Sequence, residues 1–215
     1  GEWRIDKQRL RWDVLDAFAQ AAQQAGIAAT DDFNTGDNEG VGYFEVNQKA
    51  GWRWNTAKAF LRPTCYGRPN FELWTSAQVA KLVIETQPDG RQRCTGVQVW
   101  DGQELVTATA TQEVVLSAGS IGSPQILQLS GIGPGALLQQ HGISVTHDLP
   151  GVGANLQDHL QIRAVFKVKG VQTLNTLASS FWGKARIGLE YALKQSGPMS
   201  MAPSQLGAFT RSDPS

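Results

Sequence analysis

The sequence predicts a mixed α/β fold of the α+β kind: an antiparallel β-meander leading into a strand–helix unit, flanked by helices and further antiparallel strands. Three stretches predict it. Residues 8–25 place Leu10, Val14, Leu15, Phe18, Ala22 and Ala25 on one helical face, and Gly26 stands where a helix stops. Residues 77–110 fall into short β-forming runs broken by the turn formers Gln87-Pro-Asp-Gly90 and Asp101-Gly102. Residues 113–133 read as a buried strand that meets a glycine and turns at once into a short helix.

The remaining elements follow in order. Residues 30–42 are rich in turn formers and predict a loop, with a short strand over 43–46. Asn55 or Thr56 is placed to cap a helix running to Leu61 and ended by Pro63. Strands are expected at 71–74, 77–85, 95–100, 104–110 and 113–117. Ser123 suits an N-cap and Pro124 a first helical residue, with Gly131 as the stop. A second short helix is expected over 134–140, a strand over 143–145 and a glycine-rich loop over 149–155. A strand over 163–168 and a helix over 181–194, ended by Gly197-Pro198, complete the pattern. The polar tail, residues 211–215, has no capping signal and predicts a cut within a domain.

Composition excludes several classes of function. The 215 residues carry 19 basic and 19 acidic side chains, so no net field attracts nucleic acid or an anionic membrane. No apolar run reaches the roughly 18 residues of a membrane span. The charged start has no apolar core, so no signal peptide is expected, and the absence of an initiator Met predicts a start inside a longer protein or after processing. Cys65 and Cys94 are isolated thiols, which fits a reducing, cytoplasmic setting. No set of His, Cys, Asp or Glu has metal-ligand spacing, and no Gly-x-Ser-x-Gly elbow marks a serine hydrolase.

The chemistry concentrates in Ser117-Ala-Gly-Ser-Ile-Gly-Ser-Pro124. Small residues let a ligand approach the backbone closely, and a helix start offers unpaired N–H groups and partial positive charge. That geometry suits a phosphate or ribose; the same turn can equally serve glycine packing alone. The nearby run Gly131-Ile-Gly-Pro-Gly135 follows a helix rather than a strand, so it predicts a helix–helix connection and not a dinucleotide cradle.

Residues 118–133 resemble the second sequence motif of the glucose–methanol–choline (GMC) oxidoreductases, which are FAD-dependent alcohol oxidases and dehydrogenases. Gly119, Ser120, Ser123, Pro124, Ile126, Leu127, Ser130, Gly131, Ile132 and Gly133 match that motif. Residues 70–79 resemble the family's strand that brings a valine backbone to adenine, and residues 151–159 the loop after the second motif. Residues 40–47 and 54–61 resemble the choline and alcohol dehydrogenase-like branch. The resemblance implies FAD as cofactor and oxidation of a primary alcohol by hydride transfer to flavin. It implies Val79 at the adenine through its backbone, Ala118 and Gly119 along the ribose or pyrophosphate, and Ser123 near the same edge. It also implies residues 1–69 and 159–215 as parts of a substrate domain and 70–158 as part of the FAD-binding domain. The family's Gly-x-Gly-x-x-Gly unit and its C-terminal catalytic His match nothing in this chain, so no catalytic residue is assigned. The rival reading is a non-catalytic folded fragment without cofactor, awaiting the missing parts. The alcohol and the electron acceptor are left open, and membrane association of a parent protein is left open too.

Other residues carry weaker signals. His141 precedes a helix-ending glycine, His147 lies in a polar strand end, and His159 follows Asp158 in a loop. A structural role is expected for His141, exposure for His147, and a structural or supporting role for His159, although an Asp–His pair can orient a base. Trp52 or Trp54 is a candidate for a substrate channel among seven tryptophans. Lys58 and Arg62 are spaced either to meet a phosphate or to form a solvated helix face.

Overall fold

The computed structural model describes residues 2–213; Pro214 and Ser215 of the polar tail lie outside the described residues. The chain forms two compact units, one of residues 2–72 with 165–213 and one of residues 73–164.

In the first unit, helix α1 spans Asp13–Gln24 and starts later than its apolar periodicity predicts. Residues 6–8 are held extended instead. Asp6 and Val46 exchange backbone hydrogen bonds at 2.9 Å, and Gln8 Nε2 donates to the carbonyls of Phe44 and Gln205 at 3.0 and 2.7 Å. Of the predicted face only Ala22 is fully buried, and Phe18 is exposed. Gly26 ends the helix at φ +93°.

Strand β1 is Gly40–Tyr43, earlier than the expected 43–46. Strands β2, Gln48–Lys49, and β3, Trp52–Arg53, form a hairpin. Its two loop residues, Ala50 and Gly51, both have positive φ, the backbone that matches strand twist in a tight turn. Asn55 Oδ1 accepts the Lys58 N–H at 3.0 Å and opens a π-helical turn over Ala57–Leu61. That turn runs into α2, Arg62–Thr64. Pro63 does not end the helix; the π-helical turn continues through it into α2. Residues 71–74 form no strand, and the Phe71 N–H turns back to the Arg68 carbonyl at 3.2 Å.

The second unit opens with the meander of β4, Gln78–Thr86, β5, Gln92–Trp100, and β6, Leu105–Thr109. The strands pair antiparallel in the order β4-β5-β6, which leaves β4 an edge among the described residues. Gly90 at φ +83° turns the first hairpin, and Asp101 Oδ1 organises the second by accepting the N–H groups of Gln103 and Glu104 at 2.8 and 2.9 Å. Gly96 has no substitute, because a Cβ there would strike the Ala108 carbonyl.

Residues 113–117 form no strand and pair with none among the described residues, and Val115 is 75% exposed. A strand needs a neighbour to complete its ladder, so apolar composition alone does not make one. Helix α3, Gly119–Leu129, begins before Ser123 and encloses Pro124. The N-cap position falls to Ala118 rather than Ser123. Ser123 Oγ reaches back instead and accepts the Ala118 N–H at 3.0 Å, so the first turn forms ahead of it.

Strand β7, Ile132–Gly133, α4, Gly135–Gln140, and β8, His147–Asp148, follow. β8 pairs parallel with β7 and lies beyond the expected 143–145, because the Gly131 carbonyl accepts from Thr146 and His147 at 2.8 and 3.0 Å. Leu138 of α4 is 2% exposed; burying such a side chain is worth roughly 1.5–3 kcal/mol. Residues 163–168 form no strand either, for the same lack of a partner.

The chain returns to the first unit with α5, Leu174–Leu177, and α6, Phe181–Lys194. Ser180 caps α6 by accepting the Gly183 N–H at 3.0 Å, and Gln195 closes it in the left-handed region at φ +48°. β9, Leu206–Phe209, then pairs antiparallel with β1. The rings of Phe33, Phe44 and Phe209 cluster, with centroids of Phe33 at 5.2 and 5.1 Å from the other two. Val41 is buried in the same unit.

Candidate cofactor-contacting site

In the second unit the turn into α3 presents its backbone openly. Gly119 has φ +84°, and a Cβ built there would meet no heavy atom within 4 Å. Ala118, Gly119 and Ser120 are exposed, while Ser123 is half-buried and tied to Ala118 by the hydrogen bond just described. Three of the residues singled out from sequence, Ala118, Gly119 and Ser123, are therefore joined in one local arrangement.

Val79 lies elsewhere, near the start of edge strand β4. Its partner is Val99, and the register shifts between Val79 and Lys81, so Ala80 is an extra residue that bulges the strand. An edge strand presents backbone groups with no ladder partner on its open side. Among the described residues no hydrogen bond joins Val79 to the α3 turn. The link is the packing of α3 on β4, fastened at the far end of the helix, where Ser130 Oγ accepts the Leu82 N–H at 2.8 Å.

Sequence reasoning missed the residues that hold this arrangement. Ser130 was read only as a match to the family motif, with Gly131 as the helix stop. Its Oγ also donates to the Ile126 carbonyl at 2.5 Å, and its own carbonyl accepts from Thr146 Oγ1 at 3.2 Å. Gln128 Nε2 donates to the Val152 carbonyl at 3.0 Å and ties the glycine-rich loop to α3. Asp148 Oδ1 accepts the Gly135 N–H at 2.8 Å and satisfies the start of α4 across the chain. The signal for Asp148 and Gln128 lies in side-chain reach between distant segments, which no local pattern encodes.

The three histidines are all exposed. Asp158 accepts the backbone N–H of His159 at 2.9 Å, not its ring. Among the described residues no His, Cys, Asp and Glu group could hold a metal ion, and no helix is long and apolar enough to cross a membrane. Cys65 and Cys94 are free thiols, half-buried.

In the first unit a cleft of about 840 Å³ is lined by Trp3, Gln48, Trp54, Asn55, Thr56 and Tyr191, among others. Trp54 lines it and Trp52 stacks obliquely on Tyr191 with ring centroids 5.8 Å apart. Lys58 is engaged: its Nζ donates to the Arg53 carbonyl at 2.8 Å and sits 5.7 Å from the Trp52 ring centre. Arg62 is exposed. A second cavity, of about 420 Å³, lies beside Tyr43. Burial raises the Tyr43 phenol above its ordinary pKa, helped by its hydrogen bond of 2.9 Å to the Asp16 carboxylate.

A three-stranded antiparallel meander followed by a helix with an open glycine at its start makes the second unit a mixed α/β module. Residues 6–161 match the GMC oxidoreductase family. The chain belongs to that family. It is 38% identical over 201 residues to an alcohol dehydrogenase [acceptor] of Pseudomonas putida, covering 92% of this chain and 35% of that protein. It is 40% identical over 199 residues to an oxygen-dependent choline dehydrogenase of Brucella ovis, covering 93% of this chain and 35% of that protein. Among solved structures it superposes on an FAD-dependent oxidoreductase from Chaetomium thermophilum with a TM-score of 0.79 and 25% identity, over 96% of this chain and 36% of the other. The chain thus spans about a third of the length of the curated relatives it matches.

Proposed function

We propose that these residues form part of an FAD-dependent oxidoreductase that oxidises a primary alcohol. One observation carries this reading: more than nine-tenths of the chain aligns, at 38% and 40% identity, with an alcohol dehydrogenase and a choline dehydrogenase. FAD would supply the redox chemistry, accepting hydride from the alcohol carbon. The chain's own task is to hold and orient it. Val79 would meet the adenine with backbone groups of the open strand edge. Ala118 and Gly119 would lie along the ribose or pyrophosphate, with Ser123 bracing the turn from behind. Two features support the fit: the space beside Gly119 is open, and β4 is an edge strand bulged next to Val79. The aromatic cleft around Trp54 is the candidate for the alcohol side, with residues 1–69 and 159–215 serving the substrate and 70–158 the cofactor. No residue here is proposed as the catalytic base.

A second reading, a folded chain with no cofactor and no turnover of its own, is favoured by the exposed apolar side chains at Leu160, Ile162, Val165 and Phe166. One experiment separates the two. The full-length protein, purified from cells, is expected to be yellow and to bleach when a primary alcohol is added without oxygen. A 215-residue chain that is colourless and leaves the fluorescence of added FAD unquenched would favour the second reading for these residues. A yellow protein that no primary alcohol bleaches would sink the alcohol assignment while keeping the flavin.

A further inference from the structure

The geometry points to Ser130 as a positioning residue for the adenine half of the cofactor, an inference that rests on the reading just given. Ser130 makes no approach to the open turn at Gly119; it stands at the other end of α3. What it does is fasten the edge strand to the helix. Its Oγ accepts the Leu82 N–H at 2.8 Å while its single hydroxyl proton is committed to the Ile126 carbonyl at 2.5 Å. With the proton fixed, the lone pair that meets Leu82 is fixed as well, so the hydroxyl is a directed clamp and not a free rotor.

The clamp sits where the strand has to be held. Among the described residues β4 has β5 on one side only, and its register already slips between Val79 and Lys81, just ahead of Leu82. A bulged edge strand has no second neighbour to set its path. Ser130 replaces that neighbour at one amide. The helix end that carries Ser130 is itself anchored: the Ser130 carbonyl accepts from Thr146 Oγ1 at 3.2 Å, and the Gly131 carbonyl accepts from Thr146 and His147. Gly131 must be glycine here, both for its φ of +82° and because a Cβ would lie 2.5 Å from the Ser144 carbonyl. One end of α3 thereby fixes the height of the strand edge, and the other end presents the Gly119 turn. Ser130 sets the spacing between the two surfaces that the proposed function assigns to adenine and to ribose or pyrophosphate.

The test uses the full-length protein and reads binding, not turnover. Dissociation constants for FAD, ADP and FMN are measured by fluorescence and calorimetry on wild type, Ser130→Ala, Ser130→Thr and Ser130→Cys. The loss of one hydrogen bond predicts a weakening of FAD and ADP binding of about 3- to 10-fold in Ser130→Ala. FMN, which lacks the adenine, is expected to change little. Threonine keeps the hydroxyl and should restore affinity, and the weaker sulfur acceptor of cysteine should fall between. Ser180→Ala removes a helix cap in the first unit, away from β4 and α3, and should lower stability while leaving the ADP constant unchanged. If Ser130→Ala does not fold, the cysteine and threonine variants carry the comparison. Folded variants that bind FAD and ADP as wild type does, or that lose FMN equally, overturn the inference. A wild-type protein that binds neither FAD nor ADP overturns the proposed function itself.

Discussion

Single side chains do much of the local shaping. Asp101 is the clearest case outside the site. The N–H groups of Glu104 and Gln103 both point at its carboxylate and hold its pKa below the ordinary 3.8. A lowered pKa in the folded chain contributes stability that is fully present above pH 3.8 and is lost as the pH falls through the lowered value. Asp101→Asn removes that charge-dependent part. The stability gap between wild type and variant, measured by urea unfolding, should therefore be largest near neutral pH and shrink in acid. A gap that stays constant down to pH 2 would show that the hairpin gains nothing from the charge. At this scale the sequence was legible wherever the residue type itself sets the geometry. Asp101-Gly102 and Gln87-Pro-Asp-Gly90 turn as their composition predicts, because Gly90 and Gly102 adopt positive φ. Ser130 and Asp148 were not legible, since each acts on a partner far away in the chain.

Elements divide in the same way. Helix α6 matches its predicted span, although it is closed by Gln195 in the left-handed region, ahead of the expected Gly197-Pro198 stop. Ser180→Ala removes the acceptor for the Gly183 N–H and should destabilise the first unit by about 1 kcal/mol, read as a shift of the denaturant midpoint without loss of its slope. Helices α1 and α3 share the predicted identity but not the predicted starts. Tertiary bonds from Gln8 and Asp6 keep the approach to α1 extended, and the back-reaching Ser123 hydroxyl lets α3 begin early. The meander was readable from its turns. The predicted strands at 71–74, 113–117 and 163–168 were not realised, because pairing is a property of two segments.

For the whole molecule, two compact units carry surfaces that the described residues leave open. Leu160, Ile162, Val165 and Phe166 are 94%, 89%, 92% and 81% exposed. Side chains already in water contribute nothing to folding of this chain. Replacing Leu160 and Ile162 by serine in the 215-residue chain should leave its unfolding free energy within about 0.5 kcal/mol and reduce its binding of a hydrophobic dye. A drop of several degrees in Tm would show that these residues are packed in solution. The family assignment rests on the ordered motif at 118–133 and on matches along nearly the whole chain, which a linear sequence carries in full. By itself the sequence determined the turns, the helix identities, the meander and the family, because each depends on residue type and short spacing. Only the tertiary structure decided which apolar runs became strands, where α1 and α3 begin, and that one serine ties strand β4 to helix α3. Those depend on partners brought together from distant parts of the chain, and a hydrogen bond across such a distance has no local signature.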